Sequence, residues 1–238
     1  GIKDVYVSYF LKKCGKKELD FLRSRPIRLY GPSQEFFNHL SDNWNIEGSV
    51  LRPGSIAVNS ESRMLGNPLQ LLYVGGCVGV YDPSVFFKGT DNADNIHFTF
   101  CTRKPEWEEY KRNSIVPTVE VVHKSGKELE PLYKQANLAV YSPPPENYIK
   151  LAFGVKLVEY VANGLPIIAY KGTEAARFIE ENDIGWTIEY NSEEVTRALN
   201  HISKAKGEYE RKQQNVIALQ SELSWQKVID RLEKNLLQ

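Results

Sequence analysis

The chain of 238 residues is 42% hydrophobic and 25% charged, which is the composition of an ordinary globular protein. Thirty basic residues balance thirty acidic ones, and this zero net charge argues against a general attraction to nucleic acid. The length allows one large or two smaller domains. No apolar run approaches the roughly 18 residues that a membrane span requires.

The three cysteines, Cys14, Cys77 and Cys101, are far apart and form neither a CxxC pair nor a pair with a nearby histidine. Their spacing argues against a disulfide scaffold and against a zinc site. A reducing, cytoplasmic setting is therefore expected, and no signal peptide is visible. The chain begins with Gly1 and not with Met, which we interpret as processing, a tag remnant or a fragment.

The first 65 residues show no regular alternation of strands and helices. A lysine-rich helix is predicted over Ile2–Arg25, and Pro26 ends it. The remaining elements predicted here are a strand at Ile27–Tyr30, a helix from Glu35 to about Trp44 after an N-cap at Ser33, and a strand running into a turn at Val50–Gly54. The polar, turn-rich segment Asn59–Pro68 is the predicted boundary, so we predict domains at 1–65 and 66–238.

The pattern becomes regular after that boundary. Six short apolar strands are predicted, at Leu69–Val74, Ile96–Cys101, Thr118–Val122, Leu138–Tyr141, Leu165–Tyr170 and Gly185–Ile188. Helices are predicted between them and after them, at Pro105–Arg112, Gly126–Gln135, Val155–Asn163, Thr173–Glu181, Glu193–Ile202, Gly207–Leu223 and Trp225–Leu237. Such alternation predicts an α/β domain with a Rossmann-like parallel sheet and flanking helices.

Ligands of open parallel sheets bind beyond the carboxyl ends of the strands. The polar or small residues at those predicted ends are Gly75, Gly76, Arg103, His123, Lys124 and Ser142. Arg103 suits a nucleotide base or phosphates, whereas His123 is either a structural residue or a base contact. The proline-rich loop 143–145 is either a plain connector or a stiff wall of a sugar pocket, to which Glu146 or Asn147 would add a polar contact.

The segment Phe153–Ala169 carries the most chemical information. Gly154 precedes the predicted helix and allows a ligand to approach the backbone closely. The free amides and the dipole of a helix N-terminus form an anion site suited to a diphosphate. Lys156 in the first turn opposes the dipole, a cost that a phosphate would offset. Glu159, three residues later, projects to the same side, and a carboxylate there can accept both hydroxyls of a ribose.

The run FGVKLVEYVANGLPIIAY resembles the donor-site helix of GT-B-fold glycosyltransferases, especially the large family-4-like group. Other landmarks agree in order and spacing: Leu72–Gly75, Leu129–Tyr133 with Gln135–Val140, Gly185–Trp186 and Ser224–Trp225. The resemblance covers about Leu69–Leu237. It implies the C-terminal half of a GT-B fold, with Phe153 and Leu157 also in a donor site for a UDP- or GDP-linked sugar. It also implies that no metal is required, since no acidic D-x-D cluster is present.

Two departures from the family pattern stand out. The first glutamate of the family's E-x7-E pair, which contacts the donor sugar, is Leu151 here, and Gly76–Tyr81 lacks the usual basic pair. We expect Lys156 to take over the diphosphate, an arrangement that resembles the bacterial exopolysaccharide glucuronosyltransferases.

The resemblance also covers part of the N-terminal region. Ile27–Gly54 resembles the last strand and helix of the family's N-terminal domain, so residues 1–65 are interpreted as a remnant of the acceptor domain plus linker. The acceptor site and the catalytic groups are then expected outside this chain, and the catalytic residues are unknown. We expect the fragment to be inactive without the rest of that domain.

The expected function is transfer of a hexose or uronic acid from a nucleotide-diphosphate sugar to a saccharide or lipid-linked acceptor, in polysaccharide or glycoconjugate synthesis. Two alternatives stay open, a nucleotide-sugar epimerase of similar fold and a non-catalytic nucleotide-sugar-binding module. A dinucleotide fingerprint is disfavoured, because the glycine spacing after Val74 is wrong for G-x-G-x-x-G and because Asp82 and Pro83 interrupt the helix start that such a fingerprint requires.

Membrane contact depends on a cluster of four lysines in the first predicted helix, Lys12, Lys13, Lys16 and Lys17. These lysines form either a solvated face or a contact for acidic lipid head groups. The expected localisation is therefore the cytoplasm, with the inner face of the membrane as the alternative.

Overall fold

A computed structural model describes residues 15–22, 24, 28–56, 62–146 and 150–236. The chain forms two compact units, Gly1–Arg52 and Pro53–Gln238. The predicted assignment of residues 1–65 to an acceptor-domain remnant stays a prediction.

The smaller unit contains two short parallel strands, β1 (Tyr30–Gly31) and β2 (Ser49–Val50), connected through helix α2 (Gln34–Trp44). The Ser33 side chain caps α2 by accepting a 3.0 Å hydrogen bond from the amide of Phe36, as predicted. Residues 15–22 form helix α1. Most of the rest of the helix predicted at Ile2–Arg25, with Lys12 and Lys13, lies outside the described residues.

The larger unit is built on a six-stranded parallel sheet with the strand order β5-β4-β3-β6-β7-β8. Its strands are β3 (Leu69–Val74), β4 (Ile96–Cys101), β5 (Glu120–Val122), β6 (Leu138–Tyr141), β7 (Ile167–Tyr170) and β8 (Gly185–Ile188). The predicted parallel α/β sheet is confirmed. Strand β7 begins two residues later than predicted because the amide of Leu165 still bonds to the carbonyl of Tyr160, at the end of the preceding helix.

Eight α-helices accompany the sheet in the described part of this unit. They are α3 (Ser84–Thr90), α4 (Lys104–Asn113), α5 (Glu130–Gln135), α6 (Val155–Ala162), α7 (Glu174–Glu181), α8 (Ser192–Ile202), α9 (Lys206–Leu219) and α10 (Trp225–Leu236). Short 3-10 turns occur at Gly79–Tyr81, Gly126–Leu129 and Gln220–Leu223. The helix predicted at Gly126–Gln135 is thus a 3-10 turn followed by α5.

Helix α3 is absent from the sequence prediction. It begins directly after Pro83, where Asp82 was expected to interrupt a helix, and the Asp82 carboxylate instead accepts the amide of Ser84 at 2.9 Å. Its apolar residues are consecutive, so no helical period is visible. The burial of Phe86 and Phe87 stabilises the helix through tertiary contacts.

Both faces of the sheet are covered, because alternate residues of each strand point to opposite sides. On β3, Leu72 and Val74 pack with α5, α6, α7 and α9, whereas Leu71 and Tyr73 pack with α3, α4 and α8. Burial on both faces explains why the strands read as continuous apolar runs. Within the described residues, no helix is long and apolar enough to cross a bilayer.

Arg63 ties the segment before the sheet to two helix ends. Its guanidinium donates to the carbonyl of Tyr133, to that of Ala136 at 3.0 Å and to that of Asn163 at 2.7 Å. These carbonyls lie at the C-terminal ends of α5 and α6, where backbone acceptors lack partners within the helix and a cation is favourable.

Replacing Arg63 with methionine is expected to lower the free energy of unfolding by about 2 kcal/mol, because the aliphatic stem stays while three helix-end carbonyls lose a charged donor. Urea denaturation of the full chain measures this change. The exposed Arg112 provides the control, since Arg112→Met should shift stability by less than about 0.5 kcal/mol. Equal stability of the two variants would contradict the role assigned to Arg63.

Candidate functional site

The neighbouring strands β3 and β6 separate toward their carboxyl ends. These strands pair only through Leu71 with Leu138 and Leu72 with Ala139. Further along, the hydroxyl of Tyr160 on α6 accepts the amide of Val74 at 3.0 Å and lies 3.4 Å from the carbonyl oxygen of Val140. The chain leaves β3 toward β4 and leaves β6 toward β7, on opposite sides, so this is the topological switch point where open sheets bind ligands.

A cavity of about 310 Å³ opens at this switch point. It is lined by Tyr73, Val74, Gly75, Gly76, Tyr81, Arg103, Tyr141, Pro143, Ala152, Gly154, Val155, Lys156 and Tyr160. Its walls are therefore mainly tyrosine rings and backbone, with two cationic side chains.

The N-terminus of α6 faces this cavity. Gly154 is its N-cap residue with extended backbone, and a Cβ on Gly154 would stand 2.5 Å from the hydroxyl oxygen of Tyr141. The hydroxyl of Tyr141 thus lies against the backbone of Gly154, and burial raises the pKa of Tyr141 to about 12. The amides of Val155 and Lys156 belong to the first turn, which has no intrahelical acceptors for them. The helix end therefore presents donors and a positive dipole end to an anion.

Lys156 and Glu159 form an ion pair on the first two turns of α6, with side chains 30% and 38% exposed. The ammonium of Lys156 contacts Oε2 of Glu159, and the same oxygen accepts the hydroxyl of Tyr133 at 2.9 Å. Burial and the neighbouring Glu159 raise the pKa of Tyr133 well above its usual range. The predicted projection of Lys156 and Glu159 to one side of the helix is confirmed.

The glycine loop after β3 is held by one side chain of β3 and one of α4. The hydroxyl of Tyr73 donates to the carbonyl of Gly76 at 2.6 Å, and Oε2 of Glu106 accepts the amide of Cys77 at 3.1 Å. Arg103, whose side chain is 79% exposed, pairs with Glu106. Glu106 thus engages the amide of Cys77, which is then not available to a phosphate. The guanidinium of Arg103 lies at the rim of the cavity.

Five of the predicted site residues line the cavity: Gly75, Gly76, Arg103, Gly154 and Lys156. Glu159 adjoins it through its ion pair with Lys156.

The other predicted residues lie beside the cavity or beneath it. His123 donates from Nδ1 to the carbonyl of Thr102 at 2.8 Å, and Lys124 is exposed at the end of β5. The side chains of Ser142, Phe153 and Leu157 are buried, and Phe153 packs edge-on against Phe178. A ligand could reach Phe153 and Leu157 only through their backbone, so donor contacts at these positions stay predictions.

The tyrosines of the cavity wall are missing from the sequence prediction. In the sequence, Tyr73, Tyr141 and Tyr160 resemble core residues of apolar elements; Tyr73 and Tyr160 are indeed buried, and Tyr141 is half-buried. Only the position of Tyr141 at the end of a predicted strand could have indicated a ligand-facing role. Tyr81 lies in the glycine loop, in the stretch where the sequence lacks the family's usual basic pair.

Residues 132–232 match the family model described as "Glucosyltransferase 3-like, C-terminal domain". A sequence comparison with curated proteins finds no match.

Solved structures resemble the chain in fold. The Anabaena protein HepE, solved with UDP and glucose, superposes with a TM-score of 0.74 at 12% identity, covering 93% of this chain and 66% of that one. WaaG, a glycosyltransferase involved in lipopolysaccharide biosynthesis, gives 0.66 at 16% identity, covering 86% and 62%. Sucrose-phosphate synthase from Thermosynechococcus elongatus gives 0.67 at 15% identity, covering 92% and 60%.

At these identities the likeness shows the fold, which is that of GT-B glycosyltransferases. The predicted C-terminal half of a GT-B fold is therefore confirmed. The chain spans between 60% and 66% of the length of these three structures.

Proposed function

We propose that this chain, whose fold is that of the C-terminal half of GT-B glycosyltransferases, binds a nucleotide-diphosphate sugar at the end of α6 for transfer of the sugar to an acceptor. The observation that carries the proposal is the Lys156–Glu159 pair, which adjoins the helix N-terminus at the topological switch point. One cation, one carboxylate and free helix amides match the diphosphate and ribose of such a donor.

Each group has a distinct task in this proposal. The amides of α6 and the ammonium of Lys156 hold the diphosphate, and the carboxylate of Glu159 accepts the ribose hydroxyls. Arg103, at the rim of the cavity, approaches the phosphates or the base. When the glycosidic bond breaks, negative charge grows on the leaving diphosphate, and the preorganised donors of α6 and Lys156 stabilise it.

The comparisons support the same class of ligand and reaction. HepE is solved with UDP-glucose, and also with UDP and glucose. WaaG acts in lipopolysaccharide biosynthesis. We therefore propose a UDP- or GDP-linked donor, a saccharide or lipid-linked acceptor, and a role in polysaccharide or glycoconjugate synthesis in the cytoplasm or at the inner membrane face. We propose that no metal is needed, because the protein's own donors supply the positive charge that the diphosphate requires.

The test is nucleotide binding by the full chain. We expect UDP or GDP to bind, and Glu159→Ala to weaken the tighter of the two about tenfold, because the ribose loses its acceptor. Titration calorimetry measures both affinities.

Glu233→Ala provides a matched control, since Glu233 is an exposed carboxylate on α10 and its removal should leave nucleotide affinity unchanged. Unchanged nucleotide affinity in Glu159→Ala would contradict the proposal that Glu159 accepts the ribose hydroxyls. No nucleotide binding by the unaltered chain would overturn the proposed function.

A further inference from the structure

Tyr133 is a buried residue of α5 that does not line the cavity but touches the donor-site carboxylate. Tyr133 is 5% exposed, and its ring packs edge-on against the ring of Tyr160, with 6.3 Å between the ring centroids. Its hydroxyl donates a 2.9 Å hydrogen bond to Oε2 of Glu159. Packing therefore fixes the phenol ring, and the ring in turn fixes one oxygen of the carboxylate.

The direction of this hydrogen bond is settled by protonation. An ionised carboxylate only accepts hydrogen bonds. Burial, followed by the adjacent Glu159, raises the pKa of Tyr133 far above its usual range, so the phenol keeps its proton. Tyr133 thus stays a donor to Glu159 throughout the physiological pH range.

The two oxygens of Glu159 are used unequally. Tyr133 and Lys156 both contact Oε2, whereas Oε1 has no hydrogen-bond partner within the described part of the chain. A ribose presents two adjacent hydroxyls, and these fit the two oxygens of one carboxylate. Once Lys156 turns toward a diphosphate, Oε2 regains acceptor capacity while Tyr133 still holds its position.

We propose that Tyr133 is a positioning residue for the donor site, holding the Glu159 carboxylate in the orientation that accepts both ribose hydroxyls. The inference rests on the proposed function and adds the residue that orders the ribose contact. Because Tyr133 reaches the ligand only through Glu159, its contribution depends on that carboxylate.

The experiment measures selectivity for the ribose along with affinity. Calorimetry of the full chain uses UDP and 2′-deoxy-UDP, or the guanine pair if GDP binds more tightly. We expect Tyr133→Phe to weaken the ribonucleotide about threefold and to reduce the preference for it over its 2′-deoxy counterpart. In a Glu159→Ala background, Tyr133→Phe should cause no further loss of affinity, because the hydrogen bond between Tyr133 and Glu159 is already absent.

Tyr209→Phe is the matched control. Tyr209 is fully buried, and its hydroxyl donates to the carbonyl of Asn137 at 3.2 Å, away from Glu159. This variant should keep the affinity and the ribose preference of the unaltered chain. An unchanged ribose preference in Tyr133→Phe, or an equal loss with and without Glu159, would overturn the positioning role while leaving the proposed function intact. Absence of nucleotide binding by the unaltered chain would overturn both.

Discussion

Replacement of Gly185 by alanine is expected to lower the free energy of unfolding of the larger unit by about 4 kcal/mol or more. Gly185 opens β8 and pairs with Ile167 on β7. A Cβ at this position would stand 1.8 Å from the carbonyl oxygen of Ile167 and 2.8 Å from its nitrogen. These are backbone atoms of a fully buried strand, so relief requires the two strands to separate.

Chemical denaturation and soluble yield measure this effect. Gly207 on α9 is the control, because a Cβ there meets nothing within 4 Å. Gly207→Ala should leave stability unchanged or raise it by about 0.5 to 1 kcal/mol, since alanine favours helix. A folded Gly185→Ala chain of normal stability would show that β7 and β8 do not pair in this register.

Substitution of Lys156 by alanine is expected to weaken binding of UDP, or of GDP if that is the ligand, about 30-fold. Lys156 is the cation of the cavity wall that lies on α6 itself, and the glycine loop has one of its amides engaged by Glu106. The diphosphate therefore depends on the α6 side of the cavity, and few other groups can compensate for the lost ammonium.

Comparison with the nucleoside makes this prediction specific. Uridine or guanosine lacks phosphates, so its affinity should change little in Lys156→Ala. Lys134→Ala is the control, because Lys134 is an exposed lysine in the last turn of α5. If nucleoside and diphosphate lost affinity equally, Lys156 would be acting through Glu159 and not on the phosphates.

The parallel sheet could be predicted because its strands are short, apolar and separated by turn-forming residues. Helix α3 was not predicted, because its apolar residues Val85, Phe86 and Phe87 are consecutive and because Asp82 and Pro83 were interpreted as an interruption. Its partner α8 supplies what the local sequence lacks: Gly89 lies so close to Val195 that a Cβ there would stand 2.4 Å from the Cβ of Val195. Such long-range packing is invisible in a single segment.

The site divides in the same way. Gly154, Lys156 and Glu159 could be predicted, since helix geometry alone places them at one end and on one side of α6. Tyr133 and Tyr141 could not be assigned a role from the sequence, because Glu159 and Gly154, which they contact, lie on other elements and only the folded chain brings these groups together.

The hydroxyl of Tyr160 contacts the backbone of both Val74 and Val140, and these contacts set the rotation of α6 about its axis relative to the sheet. A shift of α6 by one residue would rotate its side chains by about 100°. Tyr160 would then lose both contacts, and Lys156 and Glu159 would move away from the carboxyl ends of the strands together. The orientation of Lys156 and Glu159 is thus determined by contacts between α6 and the sheet, and not by the loop that precedes the helix. The loop that enters α6 can therefore change in length and composition without moving Lys156 and Glu159 away from the carboxyl ends of the strands.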